Sequence, residues 1–424
     1  MSIVKKYVFL LACIFFAAQA FGQAARSPFT TFGIGEPYGN ALINTQGMAG
    51  VGVSQPQYWF ANNQNPALLI YNNLTVFQAG MLVESRTIKG DTISEKNVGG
   101  NMNYLVTAFP IKPTKWTTSL GLMPYTTVKY QMQYEDSINN STDKVDVIEE
   151  GSGGLTQLYW SNGVRVYKDL ALGLKVSYIF SSIINTYQNR LQNSAQPLNY
   201  FAGVQERTYV KDFTFTAGVS YSKDSLFAQK KYRLSVGAVY NFSADLNTRQ
   251  RNILYRTLTG VIDDDPNRDT LYTTKGNIYI PPAVTAGISL SRGSKWTIGT
   301  EFSYQDWSTF RSVSQDDEGL GEAWRVALGG EITPDVLSEG LFKRTTYRLG
   351  ASMEQYPFMA NNNTVKDAGI NFGLSLPAGR SSLDLAFKLG RRGNKADNIL
   401  EETYFKVYFG ITFNDQWFIK RKFD

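Results

Sequence analysis

From residue 72 to residue 413 apolar and polar side chains alternate in blocks, joined by connections that are alternately short and long. A period of two sends the two sets to opposite faces of a strand. In the last block Phe405, Val407, Phe409, Ile411 and Phe413 share one face, and Tyr404, Lys406, Tyr408, Gly410 and Thr412 the other. Leu172 and Leu174 oppose Lys175 and Ser177 in the same way, and Phe213 and Phe215 oppose Thr214 and Thr216. One greasy and one wet face fit a membrane barrel or a soluble sandwich.

The start of the chain separates the two. Lys5 and Lys6, an apolar run over 7–17 and small residues at Ala18 and Ala20 read as a cleavable secretory signal, residues 1–22. Beyond it no stretch reaches the roughly 18 apolar residues of a spanning helix. A secreted chain of this kind crosses a membrane as a barrel or not at all. Cys13, the one cysteine, lies inside the signal. A lipid-modified cysteine is the alternative there, but the apolar run continues past it. The remaining chain then lacks thiols, and the sequence has no histidine, so disulfides, metal centres of the usual N and S ligands and histidine acid–base chemistry are excluded.

Aromatic residues at 14% suit interfacial girdles, and 37 glycines suit tight turns and a crowded lumen. The net charge of +6 carries no basic cluster interleaved with aromatics, so no nucleic-acid partner is expected. The fold expected is all-β: an antiparallel transmembrane β-barrel of about 14 strands. Its segments fall near 72–84, 98–109, 115–130, 153–166, 169–185, 207–222, 231–246, 272–290, 294–308, 322–332, 343–356, 366–377, 380–390 and 402–414. Between them 131–151, 186–206, 247–271, 309–321 and 391–401 are long and polar. Long loops face outward and short turns face the periplasm in bacterial barrels, so both termini are expected on the periplasmic side of the outer membrane. The acidic tip at Asp263, Asp264 and Asp265 reads as a solvated turn, since it lacks the spaced ligands of a calcium loop.

Residues 23–70 break the pattern with glycines yet carry Phe29, Phe32, Met48, Trp59 and Phe60. A segment too irregular for lipid and too apolar for a free tail belongs inside the lumen as a hatch or plug, with 71–424 as the barrel.

The run NTQGMAGVGVS over 44–54 followed by NPALL over 65–69 resembles the hatch of the FadL-type long-chain fatty-acid and hydrocarbon transporters. IPPAVTAGISLSRGSKWTIGTEFSYQDWSTF over 280–310, EAWRVALGGEITP over 322–334 and YRLGASMEQYP over 347–357 continue the resemblance in order. It implies a fourteen-stranded barrel with a hatch anchored through Asn65, Pro66 and Ala67. It also implies passive uptake of hydrophobic molecules, such as long-chain fatty acids, leaving through a wall gap at a kinked third strand. Pro124 is the expected kink, because proline cannot donate to a ladder. The start SPFTTFGIGEP over 27–37 departs from that hatch and is similar to outer-membrane proteins of Bacteroides and Flavobacterium relatives.

Two functions follow. In one, Phe29, Phe32, Met48, Trp59 and Phe60 line a pocket for a hydrophobic small molecule. In the other, the barrel conducts nothing and serves as a subunit of a larger outer-membrane assembly or secretion complex, bound to other outer-membrane proteins. Inward charges at Lys175, Glu301, Arg325, Glu331, Arg348, Glu354, Asp384 and Lys388 leave less apolar wall for a greasy substrate. No enzyme, cofactor or metal site is expected, because no histidine base can activate a serine or threonine. Fractionation and N-terminal sequencing should find the protein in the outer membrane, starting near Phe21 or Gln23; recovery as a soluble periplasmic monomer would contradict the barrel.

Overall fold

The computed structural model describes residues 24–417 except 92, 138–143, 193–200, 225–231, 267 and 314–318. The signal over 1–22 with Cys13 lies outside the described residues.

Fourteen antiparallel wall strands close into one ring. They are β1 (Thr75–Lys89), β2 (Ser94–Lys112), β3 in two pieces (Trp116–Pro124 and Thr126–Ser137), β4 (Lys144–Tyr167), β5 (Leu170–Gln192) and β6 (Phe201–Asp224). Then come β7 in two pieces (Tyr232–Asn241 and Ala244–Thr257), β8 in two pieces (Asp269–Ile280 and Ala283–Arg292), β9 (Trp296–Asp306) and β10 (Glu322–Ile332). β11 (Thr346–Ala360), β12 (Asn363–Ala378), β13 (Ser381–Arg392) and β14 (Glu401–Asp415) complete the ring. β14 pairs back onto β1 from Glu401↔Lys89 to Asp415↔Thr75, which removes the free edge.

Alternation sets the two faces. Phe213, Phe215, Phe372, Phe409 and Phe413 are exposed on the outside, while Lys175, Ser177, Thr216, Tyr408 and Thr412 are buried within. Large apolar side chains left bare around a ring are the lipid-facing band.

The strands run further than expected on the long-loop side. β3 reaches Ser137, β4 starts at Lys144, β5 reaches Gln192 and β6 starts at Phe201, so much of 131–151 and 186–206 is strand. Above the lipid both faces meet water, and the apolar period that marks a strand disappears. The ends of the described chain also differ from expectation. Asp415 pairs with Thr75 at the short-turn end, whereas Arg26 lies beside Glu95 and Asn97 near the long-loop end.

Replacing Phe409 by Arg should cost about 2–4 kcal/mol if the site lies near the bilayer midplane. The measurement is the urea midpoint of the folded, heat-modifiable band; an unchanged midpoint would mean the faces are reversed.

Candidate functional site

Residues ahead of β1 fold inside the ring, and the wall is built to receive them. Asn65 caps the short 3-10 turn Pro66–Tyr71: its side chain accepts from the Ala67 N–H at 3.0 Å and donates to the Val53 and Val219 carbonyls at 2.8 and 3.0 Å. Pro66 and Ala67 rest directly on Gly163, Gly173 and Gly218, and Met48 rests on Gly329 and Gly350. A Cβ on Gly373 would stand 2.8 Å from the Gly47 Cα, and one on Gly410 would stand 2.6 Å from Ile43 Cδ1. Only glycine permits backbone to lie this close to backbone.

Inward polar side chains satisfy the irregular backbone, which has no ladder of its own. The Glu301 carboxylate accepts from the Gly52 and Val53 N–H groups, both at 3.0 Å. Asn371 donates to the Gln46 carbonyl at 2.7 Å, Ser289 to the Ser54 carbonyl at 2.8 Å, and Arg325 to the Ala49 carbonyl.

The wall has a seam. The β2–β3 ladder runs from Lys112↔Trp116 to Leu105↔Leu122 and stops, just before Pro124. β3 bends at Tyr125, and its outer piece pairs with β4 but not with β2. Residues 26–38 fill the space as a strap. Glu36 and Pro37 pair with Thr127 and Thr126, the Ser27 N–H bonds the Lys129 carbonyl at 2.8 Å, and the Tyr38 N–H bonds the Tyr125 carbonyl at 3.0 Å. On the β2 side Asn97 accepts from the Arg26 N–H at 2.9 Å, and Asn101 accepts from the Tyr38 hydroxyl at 2.8 Å.

Glu36 also reaches the stretch of wall beyond β2, formed by β1, β14 and β13. Its carboxylate lies 2.5 Å from Arg392, 3.6 Å from Arg86 and 3.9 Å from Lys406. Arg86 bonds Glu84 and Glu402 at 2.7 Å each, and Asp367 pairs with Arg392 and Lys388 at 3.5 and 3.7 Å. The arginines are only 2% and 1% exposed. Burial opposes the charged form of Glu36, but Arg392, Arg86 and Lys406 outweigh it and hold the carboxyl well below the usual range. Without Glu36 the buried group keeps four cations and three anions.

The five aromatic and sulfur side chains expected to share a pocket are spread along the axis. Phe29 and Phe32 stack on Phe358 near the long loops, with ring centroids 5.6 and 4.9 Å apart. Met48 is buried at the glycine belt, Phe60 sits under the Arg348 guanidinium, and Trp59 is open at the turn end. Between the strap and the belt remains a cavity of about 350 Å³ lined by Glu301, Arg325, Glu354, Lys388 and Arg392. Sequence reading missed Glu36, Arg86, Arg392 and Glu402. Their signal was a row of charges on the wet faces of β1, β13 and β14.

A family model described as BamG matches residues 3–424. No curated protein matches the chain. Among solved structures, the CymD monoaromatic hydrocarbon channel is 13% identical, with 91% of this chain and 99% of that one covered and a TM-score of 0.55. The P. putida toluene transporter TodX is 15% identical over 91% and 99%, TM-score 0.54. A Pseudomonas aeruginosa FadL homologue is 13% identical over 92% and 98%, TM-score 0.53. These likenesses show the fold.

Glu36→Gln should loosen the strap while the ring stays closed, read as faster proteolysis within 24–40 and an unchanged heat-modifiable shift. A depressed carboxylate stabilises above its unfolded pKa of about 4.3, and this contribution is lost as pH falls through the lower folded value. Wild-type strap protection should therefore persist at pH 5 and fade only in stronger acid; loss at pH 5 would contradict the latch.

Proposed function

The chain belongs to the BamG family, and from a wall seam filled by its own N-terminal segment we propose that it is a non-conducting outer-membrane barrel serving as a subunit of a larger assembly, one for barrel assembly or protein secretion. The observation that carries this reading is the strap. Where an apolar molecule would leave sideways, the structure has two stitched edges and a buried ion cluster. The pocket at that place is only about 50 Å³ and is lined by Glu36, Glu84, Arg86 and Lys406. Charge and closure both oppose a hydrocarbon route. The hatch then acts as a fixed plug held by Asn65, Pro66 and Ala67, and its aromatics pack that plug.

A second reading is favoured by the interrupted β2–β3 ladder and by the fold shared with the CymD monoaromatic hydrocarbon channel and the toluene transporter TodX. It is a passive channel for hydrophobic small molecules, long-chain fatty acids among them, with Phe29, Phe32, Met48, Trp59 and Phe60 along the route and Pro124 at the exit.

One experiment separates them. Arg26→Cys with Asn97→Cys staples the strap to β2 in a chain whose only other cysteine is Cys13. The subunit reading expects uptake of labelled laurate or toluene to match cells lacking the protein, oxidised or reduced, with other outer-membrane proteins co-purifying in fixed stoichiometry. Uptake that stops on oxidation and returns on reduction would establish the channel instead.

A further inference from the structure

The short-turn end of the lumen carries a second feature that the sealed seam does not explain. Beneath the plug, inside the ring of turns, lies a cavity of about 360 Å³. Its roof is Tyr58 and Trp59, which are 41% and 54% exposed. This surface faces the mouth of the barrel rather than the lipid-facing wall, so the hydrocarbon that covers Phe409 and its neighbours does not cover Trp59. Tyr58 packs edge-on against Tyr71 and carries the Arg233 guanidinium on its ring, while Trp59 beside it lies open at the mouth.

The rim is cationic. Arg233, Arg344, Arg348 and Arg380 line the cavity against one carboxylate, Glu331, and that one is engaged with Arg348 at 3.0 Å and with Gln55 at 2.8 Å. Arg233 pairs with Asp224, and Arg380 with Asp415 at 3.7 Å. Arg344 differs: its Nε is buried without a hydrogen-bond partner, and no carboxylate among the described residues pairs with its guanidinium. The connection that carries it also leaves Leu337 93% exposed and Phe342 76% exposed at the same end. Trp, Tyr and Arg grouped around a concavity make the composition of a binding hot spot.

Resting on the subunit reading, we infer that this vestibule docks an acidic segment of a partner protein on the turn side of the membrane, with an apolar side chain against Trp59 and a carboxylate at Arg344. The volume admits one or two side chains, at the low end of the roughly 300–1,000 Å³ of ligand pockets. The unpaired arginine selects an acid, and the aromatic roof selects an apolar or aromatic neighbour to it. Leu337 and Phe342 extend the contact beyond the cavity.

The test uses the full-length protein in mild detergent and a fluorescein-labelled hexapeptide, acetyl-Glu-Leu-Phe-Asp-Phe-Glu, followed by anisotropy. Saturable binding is expected, at least tenfold weaker in Trp59→Ala, in Arg344→Gln and for a peptide with lysine in place of each acid. Trp59→Phe should retain most of it, and Tyr272→Ala, at the other end of the barrel, should leave it unchanged. Absence of saturable binding, or binding indifferent to Trp59→Ala and Arg344→Gln in proteins that keep their heat-modifiable shift, overturns the assignment. So does saturable binding of laurate with none of the peptide. In cells the two readings fail separately. A fixed-stoichiometry partner lost from Trp59→Ala supports docking here; a partner retained by both variants overturns this site and leaves the subunit reading standing. If wild-type protein carries no partner, both fall.

Discussion

In hydrocarbon every backbone N–H and C=O must find a partner within the protein, and the architecture follows from where that demand is met and where it is not. The ring meets it by closing β14 onto β1 along their whole length. At β3 the demand fails locally, because Pro124 has no N–H and Tyr125 turns the outer piece away from β2. A bare edge would remain on each side. The strap donates backbone N–H groups to the Lys129 and Tyr125 carbonyls on the β3 side, and its Arg26 N–H and Tyr38 hydroxyl to the Asn97 and Asn101 side chains of β2, so the chain's own N-terminal segment fills the wall.

The same demand explains the glycines. An irregular segment in a lumen cannot satisfy itself, so it must lie against groups that can. Gly163, Gly173, Gly218, Gly329 and Gly350 let its backbone touch the wall, and Glu301, Asn371 and Ser289 reach the amides and carbonyls so presented. Contact at this distance makes the inner segment and the ring one packed body. An added side chain at Gly163, Gly173, Gly329 or Gly350 would have to displace backbone rather than a flexible tip, and one at Gly218 would meet the Asn65 side chain and the Pro66 ring.

Much of this was legible before any coordinates. The period of two marked the lipid-facing band, and with the alternation of short and long connections it fixed the strand number, because lipid on one side and lumen on the other impose opposite chemistry on neighbours. Asn65, Pro66 and Ala67 stood out through their resemblance to the FadL-type hatch motif, and Pro124 as a ladder breaker. What stayed illegible has a common cause. The outer halves of β4, β5 and β6 meet water on both faces and lose the pattern, so they read as loops. The strap reads as glycine-rich coil because its pairing is only Glu36 and Pro37 long, and its partners lie far off in sequence. The ion cluster joins Glu36 to Arg86, Arg392 and Glu402, and only the register of the closed ring brings these together.

Glu36 ties the seam to the question of function. Its backbone is part of the wall on the β3 side of the seam, and its carboxylate is part of the buried cluster on β1, β13 and β14, beyond β2. Moving the strap out would therefore break a ladder and leave buried arginines without their counter-ion. Breaking a buried pair by removing one partner costs roughly 3–5 kcal/mol. A ligand can open such a seam only if it binds the open form better than the closed one by at least that amount. The inner cavity presents Glu301, Arg325, Glu354 and Lys388 beside Trp307, Trp324 and Tyr356, so an apolar molecule entering it meets buried charge as well as aromatic wall. Those charges oppose the burial of hydrocarbon and leave the aromatic wall alone to supply the differential affinity that opening requires.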